Sequence, residues 1–205
     1  PGVPKIYAFF SENGRYYIVM EYIEGETLEA FVTHEDSRGR LVPGKRMPQE
    51  EVVRNIIQVC RILEYLHSQP HPIVHQDIKP ANLILESHLG YVRLVDFGTA
   101  RAEIPRGCAP GNGARASIYG TGGYAPPEQY RGKPEPRSDV FALAATAYHL
   151  LTDDDPCEHP FKWPKLKTLP RDLALALERA LRPSPQERST ARELREALEA
   201  LATPQ

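Results

Sequence analysis

Four side chains in two short stretches have the types and spacing to move a phosphoryl group. The run His75-Gln76-Asp77-Ile78-Lys79-Pro80-Ala81-Asn82 sets a carboxylate, an ammonium and an amide within six residues, from Asp77 to Asn82. Asp96-Phe97-Gly98 adds a second carboxylate, 14 positions after Asn82. Transfer of a γ-phosphoryl group from ATP leaves a protein little covalent work. It needs a group to orient the attacking hydroxyl, a cation beside the moving phosphoryl, and oxygen ligands for Mg²⁺. Asp77, Lys79, Asn82 and Asp96 can supply those parts in that order. Taken singly, each has a blander meaning: a loop aspartate usually caps a turn, and a lysine is usually a solvated charge. Their order and spacing together carry the chemistry.

These motifs resemble the catalytic and metal-binding loops of protein kinases, and the lysine two residues after Asp77 is similar to the bacterial-type serine/threonine class. The resemblance runs along nearly the whole chain. It implies that Asp77 orients a substrate hydroxyl, that Lys79 neutralises charge on the γ-phosphoryl group, and that Asn82 and Asp96 ligate Mg²⁺. Gly120-Thr121-Gly122-Gly123-Tyr124-Ala125-Pro126-Pro127-Glu128 resembles the substrate-docking loop, which puts Thr121 beside the catalytic aspartate and lysine. Met20, Glu21 and Ile23 match the strand end and linker whose backbone holds the adenine ring, with Ile84 as its floor. His75 is implied to pack against the metal loop rather than act as a base. Glu128 and Arg188 match a buried ion pair, and Asp139 a brace on the catalytic-loop backbone. The implied cofactors are ATP and Mg²⁺, and the implied partner is a protein carrying Ser or Thr hydroxyls.

Departures from the family pattern are informative. Gln76 stands where an arginine usually binds an activation-loop phosphate, so any activity is expected not to need that phosphorylation. Ser117, Tyr119 and Thr121, among Arg101, Arg106 and Arg115, are candidate phosphoacceptors. No Gly-x-Gly-x-x-Gly occurs, and no Val-Ala-x-Lys precedes the catalytic loop. Those parts cradle the ATP phosphates in the family. Weak or absent catalysis by these residues alone is therefore expected. The alternative is a catalytically silent kinase-like binding or scaffold module, assembling through uncovered apolar surfaces with a second copy or a small-lobe donor.

The elements that must position these residues follow from local pattern. Lys5 to Phe10 and Tyr16 to Met20 are β-favouring runs about an Asn13-Gly14 turn, which predicts a hairpin. Thr27 to Thr33 reads as a short helix and His34 to Met47 as a solvated loop. Pro48 opens a helix in which Val52, Ile56, Val59, Leu63 and Leu66 recur at helical spacing to about His67. Leu83 to Leu85 and Tyr91 to Val95 read as short strands. Gly98 to Pro127 reads as a long functional loop. Ser138 to Leu151 is apolar almost all round, interrupted by Thr146 and His149, and predicts a buried helix. Arg171 to Leu181 and Ala191 to Leu201 read as amphipathic helices, the second capped by Ser189 or Thr190.

The expected fold is α+β, mainly α-helical and protein-kinase-like. Residues 1–22 would be a remnant small-lobe hairpin and the start of a hinge, and residues 23–205 a large lobe. Within that lobe lie a catalytic loop at 75–82, a metal loop and activation segment at 96–128, and a helical subdomain at 136–205. A net charge of −2 gives no support to nucleic-acid or anionic-membrane binding. No stretch approaches the apolar length of a membrane span. Three dispersed cysteines without a Cys-x-x-Cys pair predict free thiols in a reducing, cytoplasmic setting.

Overall fold

The helical body is built around one helix buried along most of its length. The computed structural model describes residues 2–35, 38–97, 101–102 and 121–202, with only the backbone at 101, 102 and 202. Helix α1 spans Gln49–His67 behind Pro48, with Glu50 and Glu51 near the positive end of its dipole. A four-residue α2, Pro127–Tyr130, closes the docking-loop motif. Helix α3, Pro136–Thr152, is opened by a capping box between Glu135 and Ser138. Thirteen consecutive residues from Ser138 to Leu150 are buried, as expected for a helix without a polar face. Asp153 ends it in the left-handed region, at φ 52°. The amphipathic helices α4 (Arg171–Ala180) and α5 (Ala191–Ala202) follow. Thr190 caps α5 reciprocally: its Oγ1 accepts from Glu193 N at 3.2 Å, and Glu193 Oε2 accepts from Thr190 N at 2.7 Å.

Helix α1 packs against both α3 and α5, and one hydrophobic core joins them. On the α1–α5 face, Leu194 and Leu198 are buried. An ionic lattice borders them: Arg195 meets Glu64 at 2.6 Å and Glu199 at 2.6 Å, and Arg61 meets Glu199 at 2.9 Å.

The β component is small and divided. Strands β1 (Ile6–Glu12) and β2 (Arg15–Met20) form an antiparallel hairpin. Its two-residue turn, Asn13 at φ 50° and Gly14 at φ 73°, takes the positive angles that Asn-Gly tolerates. Strands β3 (Gly25–Thr27), β7 (Leu83–Glu86) and β8 (Val92–Leu94) form a second sheet with β7 central. Strand β3 can lie close because Gly25 has no side chain: a Cβ there would fall 2.3 Å from the Leu85 carbonyl oxygen. Strand β4 (His34–Glu35) pairs β5 (Leu41–Val42), and β6 (Ile73–Val74) pairs β9 (Arg101–Ala102).

Two expectations are corrected. Thr27 to Thr33 is not an α-helix; Thr27 ends β3, and only Leu28–Phe31 turns, as a 3₁₀ helix. The antiparallel pairing of β3 with β7 claims the backbone that a helix would have used. The segment from His34 to Met47 is not wholly irregular, since β4 and β5 pair across it. Most of the expected loop from Gly98 to Pro127, with Ser117, Tyr119 and Cys108, lies outside the described residues.

Candidate active site

The backbone of the catalytic-loop motif is held by hydrogen bonds from α3 and α2. Asp139, at the start of α3, accepts from His75 N and Gln76 N, each at 2.9 Å. The buried Gln76 sits at φ 72°, and its carbonyl accepts from Gln129 of α2 at 2.6 Å. His75 Nδ1 accepts from Asp77 N at 3.3 Å, which leaves Nε2 as the donor to the Val95 carbonyl at 3.0 Å. The His75 ring also meets Phe97 edge-on, with centroids 4.7 Å apart. His75 thus ties the two motifs together, in the packing role expected of it.

Asp77, Lys79, Asn82 and Thr121 converge. Asp77 Oδ1 accepts from Thr121 Oγ1 at 2.8 Å and from Thr121 N at 3.2 Å. Its Oδ2 accepts from Asn82 Nδ2 at 3.0 Å and lies 3.2 Å from Lys79 Nζ. Lys79 Nζ donates to Thr121 Oγ1 at 2.7 Å, closing the ring of contacts. Burial raises the Asp77 carboxyl's pKa. The Thr121 hydrogen bond, the Lys79 charge and the Asn82 amide outweigh that and hold it below the ordinary aspartate value. The carboxylate is therefore ionised at neutral pH and already aimed.

Both donors of the Asn82 amide are used on Asp77, on its carbonyl at 2.7 Å and on its carboxylate. That fixes the amide and leaves Oδ1 as an oxygen that could face a cation. Asp96 follows Val95, whose N–H bonds the Asn82 carbonyl at 3.0 Å, so backbone pairing brings the two candidate ligands to neighbouring strand ends. Asp96 is exposed and sits at φ 62°, a left-handed angle that recurs at functional sites. Among the described residues no three His, Cys, Asp or Glu side chains form a metal cluster. Two oxygen donors suit Mg²⁺, which keeps water and phosphate in the rest of its shell.

The adenine-site candidates are more dispersed. Ile84 lies in the central strand β7, two residues beyond Asn82 and opposite Thr27. Ile23 is buried just before β3. Met20 ends β2 opposite Ile6 with its side chain 45% exposed. The Glu21 carboxylate accepts from Lys5 N at 3.1 Å and lies 3.8 Å from the Arg93 guanidinium.

Glu128 and Arg188 form a buried bidentate pair at 2.6 and 3.2 Å. Ser138 adds a bond to Glu128 at 2.7 Å, and Arg188 also donates to three backbone carbonyls. One contact escaped the sequence reading: Tyr124 OH meets His149 Nδ1 at 2.6 Å, and both residues are buried. Its signal was there, a histidine interrupting an otherwise apolar helix.

Family comparison agrees with this geometry. Residues 1–198 match the model of the protein kinase domain, and the chain belongs to that family. It is 36% identical to serine/threonine-protein kinase PknA of Nostoc sp. over 96% of the chain, and 30% identical to serine/threonine-protein kinase B of Synechocystis sp. over 97%. It is also 34% identical to PrkC of Bacillus subtilis over 74% of the chain. The chain spans 35% of the length of each of the first two relatives and 21% of the third. The family generally uses ATP and Mg²⁺ and acts on protein substrates. Among the described residues no helix is long and apolar enough to cross a membrane.

Proposed function

We propose that this chain carries the catalytic region of a serine/threonine protein kinase, which passes the γ-phosphoryl group of ATP to hydroxyls of a protein substrate. The observation that carries this reading is the closed set of contacts among Asp77, Lys79, Asn82 and Thr121. Asp77, ionised and fixed by three partners, accepts a hydrogen bond from the incoming hydroxyl and orients it. Lys79 keeps its charge beside the point of transfer. Thr121 holds the two at one spacing. Asn82 and Asp96 would hold Mg²⁺, which when bound neutralises the phosphate oxygens. Met20, Glu21, Ile23 and Ile84 would receive the adenine ring. Transfer by the 205 residues in isolation should be slow, since positioning and charge from a glycine-rich loop and its lysine supply much of the rate in this chemistry.

Calorimetry of Mg·ATP tests the nucleotide reading. Heat of binding is expected from the wild-type chain and should vanish in Asp96→Ala. Binding that survives Asp96→Ala would remove Asp96 from the site. Asp77→Asn should keep nucleotide binding and cut whatever transfer the wild type shows by about 10²–10⁴-fold.

A second reading rests on the hairpin, where Phe9, Tyr16, Tyr17 and Ile18 are all exposed. A kinase-like module could assemble through this face. A monomer in light scattering at high concentration would count against it.

A further inference from the structure

A ridge of aromatic side chains runs from the core to the surface beside the Thr121 turn. Tyr148 meets Trp163 with ring centroids 5.1 Å apart, Trp163 meets Phe141 at 5.9 Å, Phe141 meets Phe161 at 6.2 Å, and Phe161 meets Tyr130 at 6.3 Å. Tyr148 and Phe141 are buried, whereas Phe161 is 43% exposed and Tyr130 38%. Phe161 also sits at φ 62°, in the left-handed region. For a bulky aromatic residue that angle is an outlier, and it persists only where the surroundings over-determine it. Packing against Phe141 on one side and Tyr130 on the other holds the ring at the surface.

Position and charge suit the exposed end of the ridge to a partner. Tyr130 is the last residue of α2, next to Gln129, which donates to the Gln76 carbonyl of the catalytic loop. Cys157 opens an exposed stretch, 157–162, and its Sγ lies 2.9 Å from the carbonyl oxygen of Gly122, the neighbour of Thr121. The two rings therefore border the segments that surround Asp77. Arg131 and Lys133 follow Tyr130 on a turn closed by Lys133 N, which donates to the Glu128 carbonyl at 3.0 Å. Lys162 follows Phe161. All three cations are exposed, and none makes an ion pair or a side-chain hydrogen bond among the described residues. Glu158 is the one carboxylate in residues 130–133 and 157–162. In a chain of net charge −2, this is a local excess of positive charge around two exposed rings.

We propose that Tyr130, Phe161, Arg131, Lys133 and Lys162 form a docking surface for an acidic segment of the protein substrate that also carries an apolar side chain. The proposal rests on the kinase reading given above. The two rings receive the apolar side chain, since rigid aromatics offer contact area at small cost in freedom. The three cations receive the carboxylates around it, and their field steers the segment in. The surface thus selects substrates by charge at a distance from the hydroxyl that Asp77 orients.

Fluorescence anisotropy tests the surface without requiring catalysis. The probe is a fluorescein-labelled peptide, Gly-Ser-Gly-Glu-Glu-Phe-Glu-Glu-Leu, beside a control with Gln at every Glu. The wild-type chain should bind the probe about tenfold more tightly than the control, and probe binding should weaken as salt rises. Combining Arg131→Glu, Lys133→Glu and Lys162→Glu should weaken probe binding by about tenfold or more and leave control binding unchanged. Phe161→Ser should weaken both. If Phe161→Ser also lowers the melting midpoint, its fold is damaged, and the charge-reversed variant, altered only at exposed positions, decides alone. No preference for the probe in the wild type, or full probe binding by the charge-reversed variant, would overturn the surface. A dimer in light scattering that Phe161→Ser dissociates would overturn it too, since the rings would then face a second copy. Where transfer is measurable, charge reversal should raise KM for the probe peptide with KM for ATP unchanged. Probe binding together with a complete absence of transfer would sink the kinase reading alone.

Discussion

Helix α3 buries thirteen consecutive residues, whereas the β1–β2 hairpin exposes every residue of its seven- and six-residue strands. Both are regular, but different forces order them. The hairpin rests on its ladder, its Asn13-Gly14 turn and two stacked aromatic pairs, Phe9 with Tyr16 and Phe10 with Tyr17. Helix α3 rests on packing all around it, and three of its buried polar side chains are spent on neighbours: Asp139 on the catalytic loop, Ser138 on Glu128, His149 on Tyr124. Buried polar groups in such a helix transmit position, because each must be satisfied in one geometry. Exposed apolar groups on a hairpin transmit nothing until something covers them.

The sharpest way to break this contrast is at the edge of α3. Arg188→Ala strands the Glu128 carboxylate in the core and should cost about 3–5 kcal/mol, read from the denaturation midpoint. A loss below about 1 kcal/mol would mean the pair is hydrated and α3 less sealed than described. Asp139→Ala comes next. It removes the acceptor for two backbone N–H groups and for His67, and should cost about 2–4 kcal/mol. Magnesium-nucleotide binding should persist while transfer falls, because the loop rather than the nucleotide loses its support. Smallest is the double variant Phe9→Ser with Tyr16→Ser. As an exposed cross-strand pair it should cost under about 1 kcal/mol. A much larger loss would show that the hairpin is covered in solution, and the contrast would need redrawing.

The same contrast explains what could be read in advance. Asn13-Gly14 announces its hairpin because positive φ at both positions is a local demand that few residues meet. The placement of α1, α4 and α5 follows from apolar spacing and that of α3 from an apolar run with no polar face, both of which burial enforces. Asp77, Lys79, Asn82 and Thr121 were legible as a set because three lie in one short loop and the fourth in a glycine-rich motif. Strand β3 was hidden because its cause is non-local: Gly25-Glu26-Thr27 becomes a strand only when β7 arrives 57 to 61 residues later to pair with it. The Tyr124–His149 bond was hidden for a similar reason. Its two halves are 25 residues apart, and only the fold makes them neighbours.

The lattice of Arg61, Glu64, Arg195 and Glu199 between α1 and α5 has a consequence for handling the protein. The screening length shrinks from ~10 Å at 0.1 M salt to ~3 Å at 1 M, yet these partners touch at 2.6 to 2.9 Å and flank the buried Leu194 and Leu198. High ionic strength should loosen the lattice without releasing the helix. The leucines supply the grip, and the charges choose the register in which α5 lands.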